Sequence, residues 1–331
     1  MATLVTPPFG ESLGGCSVFV TGAYGLIGSR LCADLLERGA RVTVLRRSTT
    51  LDSALVLDGT EADCEVVDGS LDDEDALLAA LTAHRCEAVF HLAAQPLVGT
   101  AAGSAGATFE ANVKGTWGVM EACHRASVGR VVVASSDNAY GPSARLPHTE
   151  DTPLRASHPY DASKAAADLI ARSYWTSRGI PVAAMRLSNV YGGGDRNLSR
   201  LVPGTIAALL AGRAPVVQSD GAPRRDFLHV DDAANAYLAV ADLLASGHGC
   251  GEPFNAGRGE PHAVLDVVNR LCAIDGATIT PTVLGGDRLP GELFEHWSDA
   301  SKLRESTGWQ PQVALDDGLT RTFDWYREHV G

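Results

Sequence analysis

The chain has 331 residues, of which 45% are hydrophobic and 20% charged, and a formal net charge of −13. That acidity excludes a broad nucleic-acid surface, which needs a basic face, and no apolar run is long enough to span a bilayer. A soluble α/β protein of one large unit or two fused lobes is expected, in the cytoplasm, with neither nucleic acid nor membrane as partner.

Residues 1–15 carry Pro7, Pro8, Gly10, Gly14 and Gly15 and lack the basic-then-apolar order of a secretory signal, so a loose leader is expected there. The seven cysteines are scattered, with no CxxC pair and no metal-ligand spacing. Reduced, mostly buried thiols and no metal are expected.

In chain order, strands are predicted over Ser17–Thr21, 41–45 and 88–92, with helices over 27–37 and 73–83 between them. A helix over 112–127, a strand over Arg130–Ala134, a helix over 163–177 and a strand over Val182–Leu187 follow. Parallel neighbours need crossovers, so this alternation predicts an α/β fold with a Rossmann-type, doubly wound parallel sheet across residues 16–188. From Asn189 the pattern loosens around Pro203, Pro215, Pro223, Pro253 and Pro290. Residues 189–331 are expected to form a smaller C-terminal α/β lobe, with some segments returning to the sheet.

The run Thr21-Gly22-Ala23-Tyr24-Gly25-Leu26-Ile27-Gly28 follows the first strand and opens the first helix. Gly22 permits a tight turn, Gly25 lets backbone approach a pyrophosphate, and Gly28 allows close helix–sheet packing, which makes Gly22 to Gly28 the expected dinucleotide site. The second strand ends in Arg46 and Arg47, where an NAD enzyme usually carries an acid for the ribose 2′-hydroxyl. Two arginines suit a 2′-phosphate and tilt the expectation slightly from NAD toward NADP.

Tyr160 and Lys164 stand four residues apart at the start of a predicted helix, so both project from one face. The ammonium is expected to lower the phenol pKa and make Tyr160 a base for a hydroxyl during hydride transfer. The strand Arg130–Ala134 runs into Ser135-Ser136-Asp137-Asn138, at the carboxyl end where doubly wound sheets place their sites. Ser136 can hydrogen-bond a reacting hydroxyl, Asp137 can give a proton to a leaving group, and Asn138 can only hydrogen-bond.

These motifs, with His91-Leu92-Ala93-Ala94-Gln95, Asn112-Val113-Lys114-Gly115-Thr116 and Arg225-Asp226-Phe227-Leu228-His229-Val230-Asp231-Asp232, resemble the extended short-chain dehydrogenase/reductases over residues 17–311. That branch includes nucleotide-sugar epimerases and dehydratases. The resemblance implies that Leu92, Ala93, Ala94 and Asn112 line the cofactor, that Lys164 also touches the nicotinamide ribose, and that Tyr160 is the acid/base. It implies a nucleotide-diphosphate sugar held by Asn189, Arg225 and Arg288, the last in a motif one residue longer than the family's. The segment Gly192-Gly193-Gly194-Asp195 with Arg200-Leu201-Val202-Pro203 is similar to the substrate loop of cytidine-diphosphate-glucose dehydratases, which adds Arg200 and Val202. A homodimer paired through helices 112–127 and 163–177 is also implied.

Epimerases and 4,6-dehydratases of this branch both begin by oxidising sugar carbon 4. A dehydratase must then also deprotonate carbon 5 and expel the 6-hydroxyl, and its Asp is typically followed by Glu or Lys. Here Asn138 follows Asp137, and a neutral amide cannot take a carbon acid's proton. A 4-epimerase is therefore placed ahead of a 4,6-dehydratase. His91, His158 and Glu150 are weighed as substitute bases, His91 and Glu150 reading better as structural. An NADPH-dependent ketoreductase and a non-catalytic dinucleotide sensor are the remaining alternatives.

Overall fold

The computed structural model of the protein describes residues 9–48, 51–95, 103–143, 145–276, 279–286 and 294–330. Ser17–Thr21 (β1), Arg41–Arg46 (β2), Glu65–Asp68 (β3), Ala88–His91 (β4), Arg130–Ala134 (β5) and Val182–Leu187 (β6) pair in parallel in the order β3–β2–β1–β4–β5–β6. Side chains alternate between the faces, so Val18, Val20 and Val132 join one core while Phe19, Val131 and Val133 join another. Both faces are covered by helices, which is why these strands read as nearly continuous apolar runs.

The helices Leu26–Glu37 (α1), Glu74–Ala83 (α2), Gly115–Arg125 (α3) and Pro159–Arg178 (α4) make the crossovers. α2, α3 and α4 share one face, and α1 packs on the other. Strand order reverses between β1 and β4, and the carboxyl ends there open a crevice.

Beyond β6 the chain leaves this sheet. Asn189–Tyr191 (β7), Leu201–Leu210 (α5), Val216–Val217 (β8), Arg224–His229 (β9) and Val230–Ala245 (α6) come next, and α6 returns to pack beside α1. Pro253–Ala256 (β10) then pairs with β6 as a seventh parallel strand. Pro261–Ala263 (β11), Thr282–Val283 (β12) and Glu295–His296 (β13) follow; β7, β11 and β13 pair with β9, and β12 with β8.

Three local expectations are corrected. The stretch 9–15 is no loose leader: Leu13 is fully buried, Gly10 N–H donates to Asp242 Oδ2 at 2.6 Å, and Arg130 donates to Ser12 Oγ at 2.6 Å. The strand β3 was not predicted, because it lies at the sheet edge and begins and ends on the exposed acids Glu65 and Asp68. The helix expected over 112–127 starts earlier, at Ala105, and passes through a π-helical turn at Glu110–Lys114 before α3. Such a turn carries one extra residue, and here it contains the buried Asn112.

All seven cysteines are free, and no metal-binding cluster occurs among the described residues. None of the described helices is long and apolar enough to cross a membrane.

Candidate active site

A cleft of about 1080 Å³ lies over the carboxyl ends of the central strands. Its near wall is built around the glycine turn. Gly22, Tyr24, Gly25, Leu26, Ile27, Gly28, Leu92, Ala93 and Ala94 all line it, as the glycine spacing and the family resemblance anticipated. Gly22 has φ +76°, and a Cβ there would stand 2.5 Å from Ala93 N. A Cβ on Gly28 would stand 2.1 Å from the Gly22 carbonyl oxygen, so neither position admits a side chain. Gly25 caps α1 with no side-chain bond to the first-turn N–H groups and no acid beside them. An uncapped helix start with a bare glycine in front of it fits a dinucleotide pyrophosphate.

The arginine pair divides. Arg47 lines the cleft, whereas Arg46 does not: its Nε donates to Asp68 Oδ1 at 2.7 Å and its Nη1 lies 3.5 Å from Glu61. Asn112 also stands behind the wall rather than in it. Its Oδ1 accepts from Gln95 N–H at 2.6 Å and its Nδ2 donates to Ser163 Oγ at 2.8 Å, tying the end of β4 to the helix that carries Lys164.

That helix, α4, begins four residues before its predicted start because Pro159 occupies the first turn, where no N–H is needed. Tyr160 and Lys164 both line the cleft. Asp168, a further turn along, forms a bidentate pair with Arg186 of β6 at 2.8 and 3.0 Å, and both side chains are almost fully buried. Lys164 Nζ donates to the Ala134 carbonyl at 2.9 Å, next to Ser135 and Ser136. Burial lowers its pKa to about 8.

Tyr160 departs from expectation. Burial pushes its pKa up to about 12, against the pull of Arg200 and a hydrogen bond with Ser136, and the nearby carboxylates Asp137 and Asp161 reinforce the rise.

Ser136, Asp137 and Asn138 line the cleft in a short 3₁₀ turn, Asp137 Oδ2 lying 3.5 Å from His296 Nε2. Asn189, Arg200, Val202 and Arg225 also line it. Arg200 is paired with Asp195 at 3.1 Å, and Arg225 donates to the Arg224 carbonyl at 2.9 Å. Arg288 lies outside the described residues.

Of the substitute bases, His91 bridges Thr21 Oγ1 at 2.7 Å and Thr116 Oγ1 at 3.0 Å, and burial lowers its pKa to about 3. It is a neutral structural residue. Glu150 accepts from Asn255 N–H at 2.7 Å as a loop anchor. Asn255 also accepts from Tyr140 Oη at 2.6 Å and donates to the carbonyls of His148 and Asp299, each at 3.1 Å. His158 precedes α4 at its amino end. Sequence reasoning missed His296 altogether, because only the β13–β9 pairing brings it to Asp137.

The model of the NAD dependent epimerase/dehydratase family matches residues 18–257. The chain is 32% identical to a dTDP-glucose 4,6-dehydratase of Xanthomonas campestris pv. campestris over 93% of its length and 92% of that protein. It is 33% identical to the UDP-glucose 4-epimerase of Mycolicibacterium smegmatis over 93% of its length and 97% of that protein. A UDP-glucose 4-epimerase from Thermotoga maritima, solved with UDP-glucose, superposes with a TM-score of 0.87 at 26% identity, covering 95% of this chain and 100% of that one. A dTDP-glucose 4,6-dehydratase from Streptomyces venezuelae, solved with NAD bound, gives 0.84 at 31% identity, covering 94% and 97%. Sequence, fold and the contents of the cleft agree, and the chain is a member of the NAD dependent epimerase/dehydratase family.

Proposed function

We propose that this protein transiently oxidises carbon 4 of a nucleotide-diphosphate sugar and returns the hydride to the opposite face, as a nucleotide-sugar 4-epimerase. The observation that carries the reading is the convergence of Ser136, Tyr160 and Lys164 on the same cleft as the glycine turn. Bound NAD supplies a hydride acceptor and, when oxidised, a positive charge. The uncapped start of α1 would hold its pyrophosphate, and Lys164 its nicotinamide ribose.

With the phenol pKa near 12, Tyr160 rests protonated at neutral pH. To act as a base it must first release that proton to solvent, which Arg200 and the Ser136 hydrogen bond favour; the phenolate then takes the 4-hydroxyl proton as hydride leaves carbon 4, and is a phenol again. Ser136 donates to the same oxygen and steadies it as a carbonyl. Arg200 and Arg225 on the far wall suit the diphosphate, each as a charge-assisted donor.

NAD is preferred to NADP, since Arg46 is committed to Asp68 and Glu61 while Arg47 alone faces the cleft. A homodimer is supported by Trp117 on α3 and Leu169 on α4, which are 58% and 56% exposed on adjacent helices.

One observation favours 4,6-dehydration as the second reading, namely a cleft carboxylate, Asp137, backed by a buried histidine. Mass spectrometry of purified protein incubated with UDP-glucose and dTDP-glucose separates the two. An isomer of unchanged mass with no net cofactor consumption is expected; loss of one water overturns the epimerase reading in favour of the dehydratase.

A further inference from the structure

Behind the wall that carries Ser136 and Asp137 lies a buried polar cluster that the hydride-transfer chemistry does not use. His296 Nε2 stands 3.5 Å from Asp137 Oδ2, with the two side chains 2% and 5% exposed. That is an ion-pair separation rather than a tight hydrogen bond. The His148 ring, fully buried, lies 4.9 Å from that of His296 and stacks on Tyr140 at 4.7 Å. No ring nitrogen of His148 or of His296 has a hydrogen-bond partner among the described residues, so His296 Nε2 meets Asp137 as a charge neighbour only. A buried imidazole with one polar neighbour, a carboxylate whose other side faces the cleft, is a costly arrangement to keep for packing alone.

We propose that His296 is a positioning residue that acts through Asp137, fixing the carboxylate as a charged acceptor for a sugar hydroxyl other than the one oxidised. The proposal rests on the nucleotide-sugar reading of the cleft. Its geometry follows from topology: β13 pairs with β9 so that His296 lies opposite Arg225, while Asp137 reaches it from the end of β5. One residue of the β9–β13 pair thus lines the cleft and the other backs the carboxylate across it. With Asn138 neutral, Asp137 is the sole carboxylate in its turn, its Oδ1 accepting from Ser136 Oγ at 3.4 Å and its Oδ2 facing His296.

The charges around His296 are mixed. Burial works against its protonation, the Asp137 carboxylate more than offsets this, and Arg225 opposes, so its pKa is raised on balance. His148 also faces it and stays neutral, burial lowering its pKa to about 4 with help from His296. Asp161, at the start of α4, has a pKa raised by burial to about 6, which His158 and His296 moderate and Asp137 reinforces.

Two measurements on the full chain test this. In long-range ¹H–¹⁵N spectra of histidine-labelled protein, the His296 ring is expected to titrate above the ordinary histidine range and to drop below it in Asp137→Asn. An unchanged titration in that variant overturns the pairing. In turnover of UDP-glucose or dTDP-glucose, His296→Gln is expected to lower kcat by about 100-fold with KM little altered, the scale of a misplaced active-site group. In the Asp137→Asn background the same change is expected to cost nothing further. An equal loss in both backgrounds overturns the proposal, because His296 then acts independently of Asp137. A Tyr160→Phe variant that kept its turnover would sink the reading of the site while leaving the spectroscopic result standing.

Discussion

The two walls of the cleft recognise their ligands by different means. The near wall, from Gly22 to Gly28 and along Leu92 to Ala94, depends on backbone at two points, since a Cβ at Gly22 or Gly28 collides with main chain. The far wall, with Arg200, Arg225, Asn189 and Val202, works with side chains that are held by other side chains and by carbonyls. Where a wall depends on backbone it is rigid and indifferent to what lies beyond it. A wall built from side chains can be retuned one residue at a time, as fits a family whose members act on different nucleotide sugars.

Tyr160, the proposed acid/base, lines the same cleft, and removing it should have the largest effect. Tyr160→Phe is expected to lower turnover by about 10³-fold while leaving dinucleotide binding intact, the loss of a general acid/base; stopped turnover with unchanged NAD titration is the check. On the near wall, Gly28→Ala is expected to cost about 3 kcal/mol or more of stability, since the clash is with the Gly22 carbonyl and cannot be relieved by a rotamer. Denaturant melts measure it, and a neutral result would mean that this wall is softer than described.

His91 has a folded-state pKa of about 3, below the ordinary 6.5, so the folded protein binds fewer protons than the unfolded chain between those values. Its neutral state therefore stabilises the fold above that window, and the contribution is lost as pH falls through it. Between pH 6.5 and 5 the wild type should lose about 1.6 kcal/mol from this group, the slope approaching about 1.36 kcal/mol for each pH unit as the unfolded histidine becomes fully protonated. His91→Gln should show a correspondingly flatter fall in urea melts at the two pH values. His148, lowered to about 4, adds to the slope of both proteins alike and cancels in the difference.

Changes at Arg47 and Trp117 should have smaller effects. Arg47→Gln is expected to weaken NADP binding about tenfold and NAD binding much less, the loss of one charged hydrogen bond; Arg46→Gln should change the preference little, because its partner is Asp68. Trp117→Asp should convert dimer to monomer in light scattering and leave the chemistry of a surviving monomer nearly unaltered, since Trp117 lies outside the cleft.

Legibility in the sequence followed the same division. The glycine turn, the strand ends and the four-residue spacing of Tyr160 and Lys164 are local patterns, and each could be placed from its neighbours. The roles of Arg46 and Asn112 read differently in the structure, because what a side chain does depends on who claims it first: Asp68 claims Arg46, and the Gln95 amide claims Asn112. The Tyr160 phenol was expected to be acidified, but burial outweighs charge there, and burial is a property of the whole fold. His296 carries no motif, and nothing near it in the chain points toward Asp137.

The junction at Asn255 sets an order of assembly. It gathers Tyr140, His148, Glu150 and Asp299, and its amide meets Glu150 across 105 positions of sequence. A nascent chain that has delivered β1 to β6 already contains the glycine turn, Ser136, Tyr160 and Lys164. The stretch running on from Ser136 is held by Arg186 of β6, which donates to Tyr140 Oη at 3.0 Å and to the Glu150 carbonyl at 3.3 Å, yet it lacks its Asn255 partner until β10 emerges from the ribosome and takes its place at the sheet edge. The proposed catalytic residues are thus made early and fully locked late, and a premature stop ahead of Pro253 would yield a protein with Ser136, Tyr160 and Lys164 present and the Asn255 part of their support missing.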